Sequence, residues 1–395
     1  MSSYPAIRLL PGSEKRLRTG QPWLFSNEVE MSEEAKALPP GSIVRLLAPS
    51  GKVYGVGHFN PHSLIAVRVL SRNKDAVIDR KFFEFRFARA LALREQMFDE
   101  PFYRLVHAEG DGLPGVVVDR HGRWLVIQIN TAGMERMRAD LLEALGKVVP
   151  AEGILLRGDT SGRVLEGLDG RSEVLAGEVP EEIEIRENGL PFVISPRTGQ
   201  KTGWYYDQRL NRLFSRMLVR GRTVLDLYSY TGSFALNALA AGARSALLVD
   251  SSGPALERAR ASAALQGVAD RVECVDADVF DFIAQAGAEH RRWGVVFADP
   301  PAFVKTKKQL PIGLRAYRKL ARDSAALVQE GGFLAISCCS HNVSPDAFFE
   351  EVTSGIRAAG RGARLLCRAG AGPDHPIHPA LPETAYLKFL AFALD

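Results

Sequence analysis

The sequence predicts an α/β protein whose C-terminal half forms a doubly wound parallel sheet, preceded by a small β-barrel domain and a small α+β domain. Strand and helix patterns alternate throughout residues 191–395, as in parallel sheets covered by helices on both faces. Residues 1–74 instead hold short β-branched runs separated by Gly, Pro and Asn. The chain of 395 residues also exceeds the length that one hydrophobic core usually supports. We therefore expect three domains, at residues 1–74, 75–190 and 191–395.

The N-terminal segment is predicted to be a compact, basic β domain. Its runs SIVRLLA, VYGVGHF and LIAVRVL have the length and composition of strands. Residues 1–74 contain ten Lys and Arg against five acidic residues, a net charge of +5. Such a charge favours a nucleic-acid-binding platform, and an ordinary barrel with solvated charges is the alternative.

The middle segment is predicted to be an α+β connecting or substrate-shaping domain. The stretch DRKFFEFRFARALALREQM has apolar residues at helical spacing. The stretch GLPGVVVDRHGRWLVIQI indicates two strands joined by a turn at residues 119–122, and a second helix is expected near residues 135–148.

Composition excludes several classes of protein. An apolar fraction of 46% and a charged fraction of 24% are ordinary for a globular protein, and no apolar run is long enough to cross a membrane. The N-terminus lacks the apolar segment of a signal peptide, so we expect a cytoplasmic protein with no membrane partner. The four cysteines lie in the C-terminal third and none has C-x-x-C spacing. We therefore expect neither a disulfide framework nor a metal site.

The C-terminal segment places polar residues after each predicted strand. Its strand-like runs are TVLDLY, SALLVD, RVECVDA, GVVFADPP and GGFLAISCC. In an open parallel sheet, ligands bind beyond the carboxyl ends of the strands. The first strand ends at Asp226 and Tyr228 and is followed by a turn over residues 229–233 that opens a helix. The next strands end at acidic residues, namely Asp250, Asp276, Asp278 and Asp299.

These strand ends favour S-adenosylmethionine over NAD as the cofactor. NAD requires a G-x-G-x-x-G turn to seat its pyrophosphate, whereas the turn after the first strand offers only Gly232. S-adenosylmethionine has no pyrophosphate, and its ammonium and ribose hydroxyls can be bound by carboxylates. An acid at the end of the second strand, Asp250, is placed to bind the ribose.

Two neighbouring cysteines, Cys338 and Cys339, end the fifth strand. Adjacent strand residues point to opposite faces, so at most one thiol should reach the ligand cleft. The other cysteines, Cys274 and Cys367, lie inside apolar runs and are expected to pack. Residues 302–322 carry seven Lys and Arg without an acid, which suits either contacts to RNA phosphates or a solvated helix face.

Together these motifs resemble the large-subunit ribosomal RNA cytosine-5 methyltransferases of the class I S-adenosylmethionine-dependent type. The resemblance covers nearly the whole chain and rests on QPWLFS at 21–26, EGDGLPG at 109–115, VDR at 118–120, GQKTG at 199–203, DQRLNR at 207–212, SYTG at 229–232, DPPAF at 299–303 and CS at 339–340. In that family a PUA domain and a small α+β domain precede a Rossmann-like methyltransferase domain.

The resemblance implies methyl transfer from S-adenosylmethionine to carbon 5 of a specific cytidine in 23S ribosomal RNA. Aligning the family's C-S motif through Ser340 makes Cys339 the nucleophile that adds to carbon 6, with Cys338 as the alternative. Asp299 would hold the nitrogen edge of the ring. The implied cofactor-binding residues are Gln200, Thr202, Asp226, Tyr228, Tyr230, Thr231, Gly232, Asp250, Asp278 and Asp299.

The sequence departs from the resemblance at one point and leaves alternatives. Many RNA cytosine-5 methyltransferases carry a second cysteine after strand four, where this chain has Ala302 and Phe303. His341, His375 or a bound water are therefore candidates for the base that removes the carbon 5 proton. The alternative functions are methylation of an exocyclic amine of RNA or of a small molecule, and a non-catalytic RNA-binding assembly factor. Naked RNA and an assembly intermediate are both candidate substrates, and a homodimer is compatible with the sequence.

Overall fold

A computed structural model describes residues 4–395, which divide into two compact units. The first unit comprises the described residues up to Glu181 together with Pro196–Thr202 and Pro373–Thr384. The second comprises Glu182–Ser195, Gly203–Gly372 and Ala385–Asp395. In the part of the chain that is described, no helix is both long and apolar enough to cross a membrane.

The first unit begins with a five-stranded sheet of order β1-β3-β4-β5-β2. Its elements are β1 (Ala6–Arg8), α1 (Glu14–Arg18), β2 (Trp23–Leu24), α2 (Glu33–Lys36), β3 (Ser42–Leu47), β4 (Val53–Phe59) and β5 (Val67–Ser71). Strands β1 and β3 are parallel and the other pairs are antiparallel. Val44, Leu46 and Phe59 are fully buried in its core. The three strands predicted from the β-branched runs are confirmed as β3, β4 and β5.

A second five-stranded sheet, of order β10-β9-β8-β7-β6, completes the first unit. Its elements are α3 (Arg80–Glu95), β6 (Phe102–His107), β7 (Val116–His121), β8 (Trp124–Ile129), α4 (Ala132–Arg136), α5 (Arg138–Val148), β9 (Gly153–Leu156), α6 (Ser161–Leu165) and β10 (Glu173–Gly177). The Asp79 side chain caps α3 by accepting a hydrogen bond from Phe82 N. The predicted first helix and the β7–β8 hairpin are confirmed. The second predicted helix, near residues 135–148, is confirmed as α5, but it begins at Arg138 because the chain leaves helical geometry at Met137 and the preceding residues belong to α4.

The second unit contains a hairpin and a seven-stranded sheet of order β15-β14-β13-β16-β17-β19-β18. Its strands are β11 (Ile183–Glu187), β12 (Leu190–Ile194), β13 (Thr223–Leu227), β14 (Ser245–Asp250), β15 (Val272–Asp276), β16 (Trp293–Ala298), β17 (Val328–Cys338), β18 (Ala363–Ala369) and β19 (Lys388–Leu394). Its helices are α7 (Arg209–Ser215), α8 (Ser233–Ala240), α9 (Gly253–Leu265), α10 (Val279–Ala288), α11 (Leu310–Ala326) and α12 (Pro345–Ala358). The first five strands of the sheet are parallel, as predicted, and β19 is antiparallel to both of its neighbours.

The strand order fixes where a ligand can bind. From β13 the chain proceeds to β14 and β15 on one side, and then returns to β16 and β17 on the other side of β13. The crevice at such a reversal lies beyond the carboxyl ends of the central strands, here β13 and β16. All six residues of β16 are buried, so the sheet holds this crevice on a rigid base.

Candidate active site

The turn after β13 is strained. Tyr228 and Tyr230 have φ angles of 59° and 49°, in the left-handed region that side chains other than glycine seldom occupy. Gly232 also has a positive φ, and a Cβ there would lie 2.5 Å from Leu248 Cδ2. Strain of this kind persists only where the surrounding structure imposes it, and it concentrates at functional sites.

The same turn holds polar atoms that lack a partner. The hydroxyl oxygens of Ser229 and Thr231 are buried without a hydrogen bond among the described residues. Buried hydroxyls are normally paired, because an unpaired one loses its hydration without compensation. A polar ligand in the crevice would satisfy them.

Asp226 and Asp250 brace the turn from two strands. Asp250 accepts hydrogen bonds from Tyr230 N (2.8 Å) and Ser252 N (2.9 Å), which leaves further lone pairs on both carboxylate oxygens. Asp226 is 1% exposed and accepts a hydrogen bond from Ala235 N at the start of α8. Burial raises the pKa of both carboxyl groups, that of Asp226 to about 8. Asp250 is only partly buried, so it is the more accessible of the two carboxylates.

Asp278 and Tyr228 lie at the strand ends on the same side of the crevice as Asp250. The Asp278 side chain is exposed and caps α10 by accepting hydrogen bonds from Phe280 N and Asp281 N. Burial raises the pKa of Tyr228, and the negative charges of Asp278 and Asp250 raise it further. The ends of β13, β14 and β15 thus place two carboxylates around one tyrosine.

On the other side of β13, Gln208 connects the ends of β16 and β17. Its Nε2 donates to Asp299 Oδ1 and to Ser337 Oγ, both at 3.0 Å. Its Oε1 accepts from Asn211 Nδ2 at 2.6 Å. Gln208 therefore orients the carboxylate of Asp299, a role that the sequence analysis did not assign.

The two neighbouring cysteines have different environments. Cys338 is 0% exposed and belongs to the core of the sheet. Cys339 is half-buried, and its Sγ lies 3.9 Å from Pro300 O in the turn that follows Asp299. This difference is the one expected from strand alternation, because successive side chains face opposite sides.

A buried lysine fixes the segment that carries Cys339. Lys388, opposite Cys338 in the β17–β19 pair, is 5% exposed and donates to Ser340 O (2.6 Å) and Tyr386 O (2.7 Å). Burial lowers the pKa of Lys388, and the neighbouring Cys338 opposes that shift. The sequence analysis did not single out Lys388. A signal for it exists, because a lysine inside an apolar run such as YLKFLAFAL indicates a buried charged residue.

Several aromatic rings belong to the same unit as Asp299 and Cys339. Burial raises the pKa of Tyr205, and the negative charges of neighbouring groups, Asp299 and Cys339 among them, raise it further. Tyr205 meets Tyr230 edge to face, with ring centroids 5.6 Å apart. The exposed His341 ring lies 5.1 Å from the ring of Tyr386. Flat rings of this kind suit the binding of an unstacked base.

Three of the site residues expected from the sequence, Gln200, Thr202 and His375, lie in the first unit. The buried hydroxyl of Thr202 donates to Asp119, while Gln200 is exposed. His375 is buried, and its Nδ1 lies 2.9 Å from Asp374 Oδ1. The predicted roles of Gln200 and Thr202 toward the cofactor remain predictions.

The basic run at residues 302–322 is exposed, and part of it is paired with acids. Arg318 forms a bidentate pair with Glu351, and Lys319 and Arg322 both contact Asp323, just beyond the run. This part of the run is a solvated helix face. Lys305, Lys307, Lys308 and Arg315 form no ion pair with a described residue.

Comparison with known proteins assigns both ends of the chain to families. Residues 7–72 match the PUA-like domain, and residues 164–391 match the S-adenosylmethionine-dependent methyltransferases. Proteins from Shewanella amazonensis (39% identical) and Pseudoalteromonas atlantica (35% identical) are each called ribosomal RNA large subunit methyltransferase I. The matches cover 97% of this chain and 98% of each relative. The chain belongs to this family. The predicted cofactor, S-adenosylmethionine, and the predicted fold class are confirmed.

Solved structures show the same fold. A SAM-dependent methyltransferase structure from Streptococcus mutans is 22% identical, with a TM-score of 0.84, and the match covers 98% of this chain and 100% of that one. A second structure, of a methyltransferase complexed with SAH, has a TM-score of 0.85 at the same identity and coverage. The fold therefore extends over both units of the chain.

Proposed function

We propose that this chain transfers the methyl group of S-adenosylmethionine to carbon 5 of a cytidine in large-subunit ribosomal RNA, with Cys339 as the nucleophile. The names of its relatives support the RNA substrate. The observation that carries the chemistry is the accessible thiol of Cys339 beside the turn that follows Asp299. Cys338, the alternative, is sealed in the core.

The turn after β13 and the two accessible carboxylates near it fit the cofactor. The unpaired hydroxyls of Ser229 and Thr231 show that the turn has polar atoms to satisfy. Asp250 would accept hydrogen bonds from the ribose hydroxyls, and Asp278 is accessible to the adenosine or the ammonium group. The cofactor supplies a methyl carbon made electrophilic by its sulfonium sulfur.

The residues at the ends of β16 and β17 would perform the chemistry on the base. The Cys339 thiolate adds to carbon 6 of cytosine, forming an S–C6 bond and moving electron density to carbon 5 and the ring nitrogen edge. Asp299, oriented by Gln208, would stabilise that edge in its protonated form, by donating or sharing its proton with the ring nitrogen. Carbon 5 then takes the methyl group as the bond between that carbon and the sulfonium sulfur breaks, which leaves neutral S-adenosylhomocysteine. Loss of its proton to a base and departure of the thiolate restore the C5–C6 double bond.

Base access and proton removal involve the rings around the thiol. A cytosine must leave its stack to reach Cys339, and Tyr205 and Tyr230 offer surfaces against which it can lie. We assign proton removal to His341 or to a bound water. His375 is buried against Asp374 and is the weaker candidate.

The three predicted domains fit this function. We propose the predicted boundaries near residues 74 and 190; the first of them follows the end of the first sheet at Ser71. The first domain, matched to the PUA-like family, would contact the RNA. A ribosomal RNA substrate supports the predicted cytoplasmic location.

The test compares Cys339→Ala with the matched variant Cys338→Ala on large-subunit ribosomal RNA that lacks the modification. We expect mass spectrometry of the nucleosides to show 5-methylcytidine with the wild-type protein and with Cys338→Ala, and none with Cys339→Ala. Cofactor binding should persist in both variants. Full activity of Cys339→Ala, or methylation of an exocyclic amine instead of carbon 5, would contradict the proposal, since amine methylation needs no thiol.

A further inference from the structure

The second unit contains a buried cation, Lys388, that no step of the methyl transfer uses. Within residues 4–395 it is the only lysine that is buried, with 5% of its surface exposed. It begins strand β19, whose other residues are all apolar. Removing an ammonium group from water costs several kcal/mol unless nearby groups compensate its charge. The surroundings of Lys388 must therefore supply that compensation.

The other buried cations obtain it from carboxylates. Among the residues that the structure describes, each buried arginine forms an ion pair with an aspartate or a glutamate: Arg94, Arg104, Arg157, Arg163, Arg209 and Arg212. Lys388 forms no such pair with a described residue. Its Nζ donates to the backbone oxygens of Ser340 (2.6 Å) and Tyr386 (2.7 Å), which accept hydrogen bonds but carry no full charge.

The acidic groups that interact with Lys388 are the two neighbouring thiols. Burial lowers the pKa of Lys388, the charge of Cys338 and a hydrogen bond with it raise that pKa, and the charge of Cys339 raises it further. The attraction between two charges is mutual, so an ammonium group that a thiolate stabilises also stabilises the thiolate. Cys338 is 0% exposed, whereas Cys339 is half-buried. Cys339 is therefore the thiol that can use this charge in a reaction.

No other group next to this strand end offers a buried positive charge among the described residues. The titratable groups on the neighbouring elements are Tyr205, Asp207, Asp299, Lys305, Tyr317, His341 and Tyr386. Burial raises the pKa of Tyr205 and of Tyr317, so both phenols stay neutral. Asp299 repels a thiolate when it is ionised. Lys305 and His341 are exposed, so water and salt screen any charge that they carry.

We propose that Lys388 is a positioning residue that keeps Cys339 in the thiolate form required for attack on carbon 6. The inference rests on the proposed role of Cys339 as the nucleophile. A cation beside a cysteine favours its reactive thiolate, and the bond from Lys388 to Ser340 O fixes that cation next to the residue that follows Cys339. The thiol releases its proton to solvent before the RNA binds, while Lys388 keeps its own proton. No oxidant or further reactant takes part.

The test measures the rate at which iodoacetamide alkylates Cys339 as a function of pH, in the wild type and in Lys388→Met. Methionine has a similar length but no charge. The matched control is Lys319→Met, which removes one exposed positive charge from α11 in the same unit. Peptide mass spectrometry reads each cysteine separately. Cys367 is the internal control, because it is a half-buried thiol on β18 whose pKa burial raises.

We expect Cys339 of Lys388→Met to react about 3- to 10-fold more slowly than in wild type near neutral pH. Its thiolate fraction falls, and the higher nucleophilicity of a more basic thiolate offsets only part of that loss. At about pH 10 the difference should vanish, because the thiol ionises without help. Cys367 in Lys388→Met, and Cys339 in Lys319→Met, should react within about twofold of wild type. Single-turnover methylation by Lys388→Met should show the same loss near neutral pH and the same recovery.

Three results would overturn the proposal. The first is a wild-type pH profile for Cys339 in Lys388→Met. The second is a loss of the same size at every pH, which would make the role of Lys388 purely structural. The third is a loss that disappears when Cys338→Ala is combined with Lys388→Met, which would mean that Lys388 acts on Cys338.

The wild-type protein decides the question if thermal melting shows that Lys388→Met is unfolded. Relative to its rate at about pH 10, Cys339 should react faster near neutral pH in the folded protein than in urea, and Cys367 more slowly. The same pH dependence for both thiols in the folded protein would contradict the proposal. Alkylation requires neither RNA nor cofactor. The result therefore stands even if cytosine carbon 5 is not the target, and full methylation by Cys339→Ala would refute the proposed function without changing it.

Discussion

Gln208→Leu should damage both the stability and the activity of the protein. Gln208 is 2% exposed and makes three hydrogen bonds, to Asp299, Ser337 and Asn211. Leucine has a similar volume but can make none of them. The variant therefore leaves buried polar groups unpaired and releases the carboxylate of Asp299 from its donor.

The size of the effect follows from these bonds. The bond to the Asp299 carboxylate contributes about 2 kcal/mol and the two neutral bonds about 1 kcal/mol each, while burying leucine returns about 1 kcal/mol. We therefore expect the free energy of unfolding to fall by about 3 kcal/mol. Asn211 keeps its second bond, to Gly370 O at 3.1 Å, which limits the loss. Because Asp299 loses its orientation, kcat should fall about 10- to 100-fold.

Urea unfolding followed by circular dichroism measures the stability, and single-turnover methylation measures the rate. The control is Gln285→Leu, on the exposed face of α10, where the side chain makes one hydrogen bond to Glu289. It should change the free energy of unfolding by less than about 0.5 kcal/mol. If Gln208→Leu matched this control in both stability and rate, the proposed role of Gln208 would be wrong.

Three further variants test the cofactor side of the site. Gly232→Ala places a Cβ 2.5 Å from Leu248 Cδ2, at a position whose backbone is left-handed. The dissociation constant of the variant for S-adenosylmethionine should therefore rise at least about tenfold, and an unchanged constant measured by calorimetry would contradict this. Asp250→Ala should weaken cofactor binding about 10- to 100-fold, while Asp270→Ala, at an exposed position, should leave it unchanged. Burial raises the pKa of Asp226 from 3.8 to about 8, so ionisation opposes folding as the pH rises between these values. Asp226→Asn removes that penalty, so its free energy of unfolding relative to wild type should increase by up to about 1.4 kcal/mol per pH unit from pH 4 to 8. If urea unfolding gave both proteins the same pH dependence of stability, this prediction would be refuted.

The parallel sheet could be predicted because its central strands are almost wholly apolar. Strand β16 is buried along its whole length, and such runs identify strands covered on both faces. Strand β18 was not predicted, because this edge strand is mostly exposed and its arginines weaken the apolar signal. The break between α4 and α5 was missed because the helical periodicity continues across Met137.

The candidate site could be predicted in part, because topology alone brings the strand ends together. The residues around Asp250, Asp299 and Cys339 follow apolar runs, and their positions needed no knowledge of side-chain contacts. Gln208 reaches Asp299 across 91 residues and Ser337 across 129, separations that no local pattern encodes. The burial of Asp226 was equally hidden, since sequence spacing does not separate an accessible strand-end acid from one sealed beneath a helix.

Trapping the covalent adduct tests the central claim most directly. In an RNA whose target cytidine carries fluorine at carbon 5, a base has no proton to remove after methyl transfer, so the S–C6 bond cannot break. We predict that mass spectrometry of the digested wild-type or Cys338→Ala complex will show the nucleotide attached to the peptide that contains Cys339. Absence of any adduct in a protein that methylates the unfluorinated RNA, or attachment at Cys338, would contradict the account.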